Sequence, residues 1–332
     1  MRIRNLLLIL IALVIVAGGT GMYLTYSPVT NSADSPVEIP PGTSLRGIAG
    51  ILSDHGIIRS ELLFIATTKV GGSSGRLQSG LYRFPRRLAI PDVITILSEG
   101  SHQAYLEVTV REGLTIHQIA EEIEEQIDIP ADSIRTLSRD PAFIASCGLD
   151  VPSLEGYLLP ETYRVRYDIT ASSMLRRLVT SMQEIFTAER RRRMRAMGRS
   201  MHEILTMASL VEGETRLDRE RETVAGVYYN RLRRGMLLQA DPTIQYIIPD
   251  GPRRLLYRDL SINSPYNTYM YPGLPPGPVN NPGEASIIAA LYPESHDYLY
   301  FVADGSGGHR FSRTIEEHNK AVAAYRRIQR NR

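Results

Sequence analysis

The sequence predicts an α+β protein with one N-terminal transmembrane helix, a small β/α subdomain and a larger mixed α+β domain. Three observations predict it. Leu6–Tyr26 is an uncharged run of 21 residues. A strand–turn–helix pattern occurs twice, 71 positions apart. From Ile204 onward, amphipathic helical segments give way to a loop dense in proline, glycine and tyrosine, and then to a short alternating strand. At 332 residues the chain exceeds one small core, so more than one domain is expected. A hydrophobic fraction of 43% and a charged fraction of 22% are those of an ordinary globular protein.

The first element is the apolar run. About 20 apolar residues span a bilayer core. Arg2 and Arg4 precede the run, and Asp34 and Glu38 lie beyond it, with no basic residue before Arg46. The positive-inside rule then places residues 1–5 as a cytoplasmic tail and 6–26 as the membrane helix, with everything later outside. A cleaved signal peptide would carry a shorter apolar region of about 7–15 residues and a small-residue cleavage site. Residues 27–36, SPVTNSADSP, are polar with two prolines and read as a linker.

Two related units follow. Val37-Glu-Ile39-Pro-Pro-Gly42-Thr-Ser44-Leu45-Arg-Gly-Ile48-Ala49 is echoed by Val108-Thr-Val110-Arg-Glu-Gly113-Leu-Thr115-Ile116-His-Gln-Ile119-Ala120. The shared pattern describes a short strand, a glycine turn, a hydroxyl N-cap and an amphipathic helix. Thr115 and Gln118 have capping-box spacing. The first copy continues through a second helical segment to about Val70, a Gly/Ser loop, a strand at Gly80–Phe84, and a helix beginning at Pro91. This pattern resembles the lysin-motif (LysM-like) module of carbohydrate-binding proteins, and residues 37–104 are assigned to such a subdomain. The alternative is a packing scaffold without sugar contacts, since no aromatic platform is evident.

The larger domain occupies 105–332. Ser138–Cys147 reads as helical, and Leu154-Glu-Gly-Tyr-Leu-Leu-Pro-Glu-Thr-Tyr163 as an ordered loop feeding a strand through Val165. Ala171–Arg199 reads as one or two helices, ending in an arginine run interpreted as a solvated helix end. Ile204–Val211 is apolar and meets Glu212. A second amphipathic segment carries Val224, Val227 and Tyr228 and ends at Gly235, followed by the turn Gln239-Ala-Asp241-Pro-Thr. Residues 264–283 are rich in tyrosine and asparagine, suited to sugar hydroxyls. A helix at Glu284–Leu291 and a strand at Tyr298–Val302 complete the reading.

The chemistry narrows by elimination. A net charge of +2 gives no global field for nucleic acid. The single cysteine, Cys147, excludes an intrachain disulfide and a multi-cysteine metal site, and reads as a small buried hydrophobe. His202-Glu203 starts a metalloprotease phrase, but Thr206 stands where the second histidine belongs. Gly305-Ser306-Gly307 follows Asp304 rather than glycine, so it is no nucleophile elbow. His309, Glu317 and His318 have no imposed ligand spacing. No metal or cofactor is expected. Glu212 remains: an acid closing an apolar helix is costly to bury, and burial and the negative helix end both disfavour its ionised form. Glu214 lies about 200° around a continuing helix from Glu212 and makes a poor catalytic partner. The alternative for Glu212 is an ion pair with Arg216 or Arg219.

The phrases ASLVEGET, VAGVYYNRL and GMLLQADPT resemble the endolytic murein transglycosylase family (YceG-like, MltG-like). So do LEGYLLPETY upstream and SPYNTYMYPGLPPGPVNNPG and GGHRFSRTIEEHN downstream, in the family's order from about Val37 to the C-terminus. The resemblance implies a single-pass inner (plasma) membrane enzyme with its catalytic domain periplasmic or extracytoplasmic. It implies cleavage of the MurNAc-β-1,4-GlcNAc bond within nascent peptidoglycan strands, a lyase reaction leaving 1,6-anhydro-MurNAc ends and limiting strand length. The family's catalytic glutamate falls on Glu212; the family often carries another residue where Gly213 stands. Penicillin-binding proteins and wall-synthesis complexes are the protein partners it implies. Asn230, Gln239, Asp241, Tyr266 and Asn267 are assigned to sugar binding or to orienting Glu212. The plain alternatives are that Asp241-Pro-Thr caps a helix and that Asn230 bonds backbone. The competing function is a non-catalytic peptidoglycan-binding scaffold for wall synthases.

Overall fold

The computed structural model describes residues 2–30, 36–249 and 251–330. Residues 31–35, the centre of the expected linker, and Met1 of the expected tail lie outside the described residues. The chain divides into two units, Met1–Glu107 with Arg164–Ile169, and Val108–Tyr163 with Thr170–Arg332. The architecture is mixed α+β with one N-terminal apolar helix.

That helix, α1 (Arg2–Tyr26), contains Leu7–Tyr26, whose mean hydropathy is 2.4. By length and composition it is long enough to cross a membrane. The rest of the first unit holds β1 (Val29–Thr30), β2 (Val37–Ile39), α2 (Leu45–Asp54), α3 (Glu61–Val70), β3 (Gly80–Tyr82), β4 (Arg87–Leu88) and α4 (Ile90–Glu99). β1 pairs antiparallel with β4, and β2 with β3 in the register Val37 opposite Tyr82. Val37, Ile39, Leu52, Phe64, Tyr82 and Leu97 fill one core. α4 begins with proline in its first turn, where the missing N–H costs nothing.

β5 (Tyr105–Thr109) and β6 (Thr162–Arg166) form a two-stranded sheet. In the second unit come α5 (Ile116–Gln126), α6 (Ala131–Leu137), α7 (Pro141–Ser146), α8 (Ala171–Ile185), α9 (Ala188–Ala196), α10 (Met201–Glu214), α11 (Asp218–Arg233), α12 (Asp241–Ile247), α13 (Glu284–Leu291), β7 (Tyr300–Ala303), β8 (His309–Ser312) and α14 (Ile315–Arg330).

The two repeat copies form the same local structure. Gly42 (φ 78°) and Gly113 (φ 74°) both occupy the left-handed region that favours glycine. The Ser44 and Thr115 side chains each accept an N–H from the first turn of the following helix, and Gln118 completes a capping box.

α10 is the centre of the second unit. Every side chain from Ile204 to Val211 is buried, as expected of a helix that is apolar on all sides. It packs against α11, α12 and α13. The arginine run is less free than a solvated helix end. Arg190 pairs with Glu284 at 2.8 Å, while Arg191 and Arg193 donate to the carbonyls of Phe186 and Leu291. β8 was not expected from sequence; its alternation is masked by the polar residues His309, Arg310 and Ser312.

Candidate active site

Glu212 lies in the last turn of α10, which runs on through Gly213 to Glu214. Its side chain is 7% exposed. Arg221 of α11, 6% exposed, places Nη1 3.0 Å from Glu212 Oε1. The backbone N–H of Gly283 donates to Glu212 Oε2 at 3.0 Å. Glu212 is therefore a paired acid, as in its alternative reading, and not a bare one. A buried guanidinium and a peptide N–H compensate the carboxylate's lost hydration. The partner is Arg221, not Arg216 or Arg219.

Arg221 is itself held on several sides. Its Nε donates to Asp218 Oδ1 at 3.0 Å, Nη1 donates to Ser286 Oγ, and Nη2 lies 3.8 Å from Glu112 Oε2. A fork with five donors suits such a junction between α10, α11 and α13.

The loop that delivers Gly283 is fastened residue by residue. Val279 N–H donates to Ser209 Oγ, and Asn280 Nδ2 donates to the Ser209 carbonyl. Asn281 Oδ1 accepts the N–H groups of Gly156 and Leu158 at 2.9 and 3.0 Å. Asn281 Nδ2 donates to the Leu114 carbonyl and to Glu155 Oε1. Glu155 in turn accepts the N–H of Ile116, the first residue of α5. One asparagine thus ties three loops together behind Glu212. Burial pushes the Glu155 carboxyl up to about 8, against the lowering effect of those donors.

A cavity of about 1240 Å³ opens in front of these residues. Its walls include Glu112, Glu155, Glu212 and Glu214, the cations Arg139, Arg216 and Arg221, and Tyr246 beside Asp241. Burial raises the Glu214 carboxyl to about 7; Tyr228 Oη donates to it at 2.6 Å. Asp241 accepts from Tyr269 Oη at 2.5 Å.

Of the residues expected at the site, Glu212 and Asp241 line this cavity. Asn230 does not; its Nδ2 donates to the carbonyls of His296 and Tyr298, the backbone role held as its alternative. Asn267 is fully buried, giving both Nδ2 hydrogens to Leu260 and Ile262 and accepting from Tyr269 N–H. Tyr266 packs against Tyr246, with ring centroids 5.1 Å apart, and it is Tyr246 that lines the cavity. Gln239 is exposed just before α12 with φ 49°. Away from the cavity, His202 bridges Tyr157 Oη and the Pro276 carbonyl, and His309 Nδ1 lies 2.8 Å from Glu220.

Sequence reasoning missed Glu112, Glu155, Arg221 and Tyr246. Glu112 left one trace: it stands in the repeat where the first copy has Pro41.

A model of the YceG-like family matches residues 37–324. The chain is 34% identical over 329 residues to an endolytic murein transglycosylase of Bacillus subtilis, covering 94% of this chain and 91% of that protein. It is 29% identical over 320 residues to an endolytic murein transglycosylase of Streptococcus pneumoniae, covering 87% of this chain but only 58% of that longer protein. A 2.6 Å crystal structure of a yceG-like protein from Listeria monocytogenes matches with a TM-score of 0.60 at 35% identity, over 86% of this chain and 98% of that one. With a family model spanning nearly all of the region after the apolar helix, and relatives aligned over most of its length, the chain belongs to the YceG-like family.

Proposed function

We propose that this protein is a membrane-anchored endolytic lytic transglycosylase that cleaves MurNAc-β-1,4-GlcNAc bonds in nascent peptidoglycan strands. The product ends are 1,6-anhydro-MurNAc, and the cuts limit strand length. α1 is the single-pass anchor, with the N-terminus cytoplasmic and the second unit extracytoplasmic. The segment 37–104 serves as a LysM-like subdomain and precedes, in sequence, a catalytic domain at 105–332.

The observation that carries this reading is the carboxyl of Glu212, fixed by Arg221 and Gly283 and facing a cavity large enough for several sugar rings. Protonated Glu212 gives its proton to the glycosidic oxygen as the C1–O bond breaks. The C6 hydroxyl of the same muramyl ring attacks C1, and its proton passes to the Glu212 carboxylate. The acid is regenerated, and no water enters the product. The attacking hydroxyl is already on the ring, which supplies a high effective concentration. Tyr246 offers a stacking face, and Asp241 accepts sugar hydroxyls.

Digestion of purified glycan strands by the full-length protein in detergent, with mass spectrometry of the ends, tests the reaction. Anhydro-muramyl ends are expected. Reducing ends formed by hydrolysis would replace this reading with a muramidase.

A further inference from the structure

Along α1 every residue from Leu7 to Thr20 is exposed, and cover begins only at Gly21, Leu24 and Thr25, the last of which is buried. The helices packed against α1 are α3 and α4 of the same unit. Just beyond its end, β1 pairs with β4 and sets Thr30 opposite Arg87, while Arg59 Nη2 donates to the Pro28 carbonyl at 3.4 Å.

Helix length fixes what this packing means in a bilayer. The 20 residues Leu7–Tyr26 rise by about 30 Å, the thickness of the hydrocarbon core. With Tyr26 at the outer edge of that core, Gly21 lies about 7.5 Å inside it. α3 and α4 cover α1 over this last stretch, so they reach the boundary between headgroups and acyl chains instead of hanging clear on a tether. Tyr23 and Tyr26 are exposed there, at the level of an interfacial aromatic belt.

The surface of α3 suits that depth. Leu62, Ala66 and Val70, each four residues from the next, form an exposed stripe on one face, with Leu62 78% and Val70 90% exposed. Among the described residues of this unit outside α1, the other exposed large hydrophobic is Tyr105, and the guanidinium of Arg164 lies over its ring at 4.9 Å. The two uncovered apolar side chains thus fall on a helix that touches α1. Arg59, Lys69 and Arg87 are exposed as well, and long basic side chains lay their stems along apolar surface while holding the charge at the headgroups. Glu61, the acid of this helix, stands in its first turn, where the helix dipole favours it.

We propose that α3 lies in the outer membrane–water interface, with Leu62 and Val70 at the acyl chains and Arg59, Lys69 and Arg87 at the lipid phosphates. The first unit is then seated on a phospholipid leaflet, as interfacial helices are. The proposal rests on the reading of α1 as the membrane anchor.

The chain contains no tryptophan, so a single introduced tryptophan reports its own surroundings. Full-length Leu62→Trp, Val70→Trp and Tyr23→Trp are each reconstituted into phosphatidylcholine–phosphatidylglycerol vesicles, with and without brominated acyl chains. Leu62→Trp and Val70→Trp should emit at shorter wavelength than a tryptophan in water, lose intensity to the brominated lipid and resist aqueous iodide. Emission that iodide quenches and brominated lipid does not, at either position, overturns the seat when Tyr23→Trp is quenched by the brominated chains. If Tyr23→Trp also escapes them, the anchor reading itself falls, and the seat with it.

Discussion

Arg221 Nη1 lies 3.0 Å from Glu212 Oε1 in a pair whose side chains are both more than nine-tenths shielded from solvent. Such a pair is an expensive way to hold two helices together. Burying both charges costs several kcal/mol each, and their attraction returns that only with good geometry and further hydrogen bonds. Here the further bonds come from Gly283, Ser286 and Asp218. An apolar contact would join α10 to α11 as well; under the proposed reading the pair is kept for the chemistry of Glu212.

Removing one partner of the pair exposes that expense. Arg221→Ala leaves Glu212 without its cation and is expected to destabilise the fold by about 3–5 kcal/mol, read as a lowered midpoint in urea unfolding. Glu212→Gln keeps the side-chain shape and leaves Arg221 with Ser286 and Asp218. It should remain folded and form no anhydro ends.

Glu155 gives the stability a pH slope. Its carboxyl is raised from an ordinary 4.5 to about 8 by burial. The folded state therefore holds a proton that the unfolded chain has released. That contribution is fully present below about pH 4.5 and is lost as pH rises through about 8. Glu214, raised to about 7, acts in the same direction over a narrower window. The melting temperature should fall between pH 5 and pH 9. Glu155→Gln, which never ionises, should flatten the upper part of that fall; an unchanged slope would contradict the assignment.

What the sequence made legible was local. Gly42, Ser44, Gly113 and Thr115 announce their turns and caps because each acts on backbone within a few positions. The burial of Ile204–Val211 follows from an apolar run too long to face water on any side. Arg221 could not be read this way. It stands among the charged residues Asp218–Glu222, and only the packing of α11 on α10 turns it inward toward Glu212. The roles of Asn281 and Asn267 were illegible for the opposite reason. Asparagine suits sugar hydroxyls and backbone amides equally well, and in this fold the backbone takes both.

Gly213 is a second place where packing decides. A Cβ there would lie 2.5 Å from Pro242 Cγ, the rigid first turn of α12. Gly213→Ala should therefore shift α12 and the Asp241 wall of the cavity, costing about 1–3 kcal/mol as overpacking does. Thermal unfolding together with the rate of anhydro-end formation measures both effects.

Gln239 separates a backbone cost from a side-chain role. Its φ of 49° is a left-handed conformation that glycine adopts freely and glutamine does not. Its side chain is exposed just before α12, while its N–H donates to the Thr268 carbonyl. Gln239→Gly relieves the strain and should stabilise the fold by about 1 kcal/mol. If the amide contacts the glycan, KM should rise at the same time, although the protein is more stable. Gln239→Asn provides the comparison, because asparagine tolerates the left-handed region better and keeps a shorter amide. A gain in stability with unchanged KM in the glycine variant would leave the position a backbone hinge for α12 and remove Gln239 from the sugar-binding set.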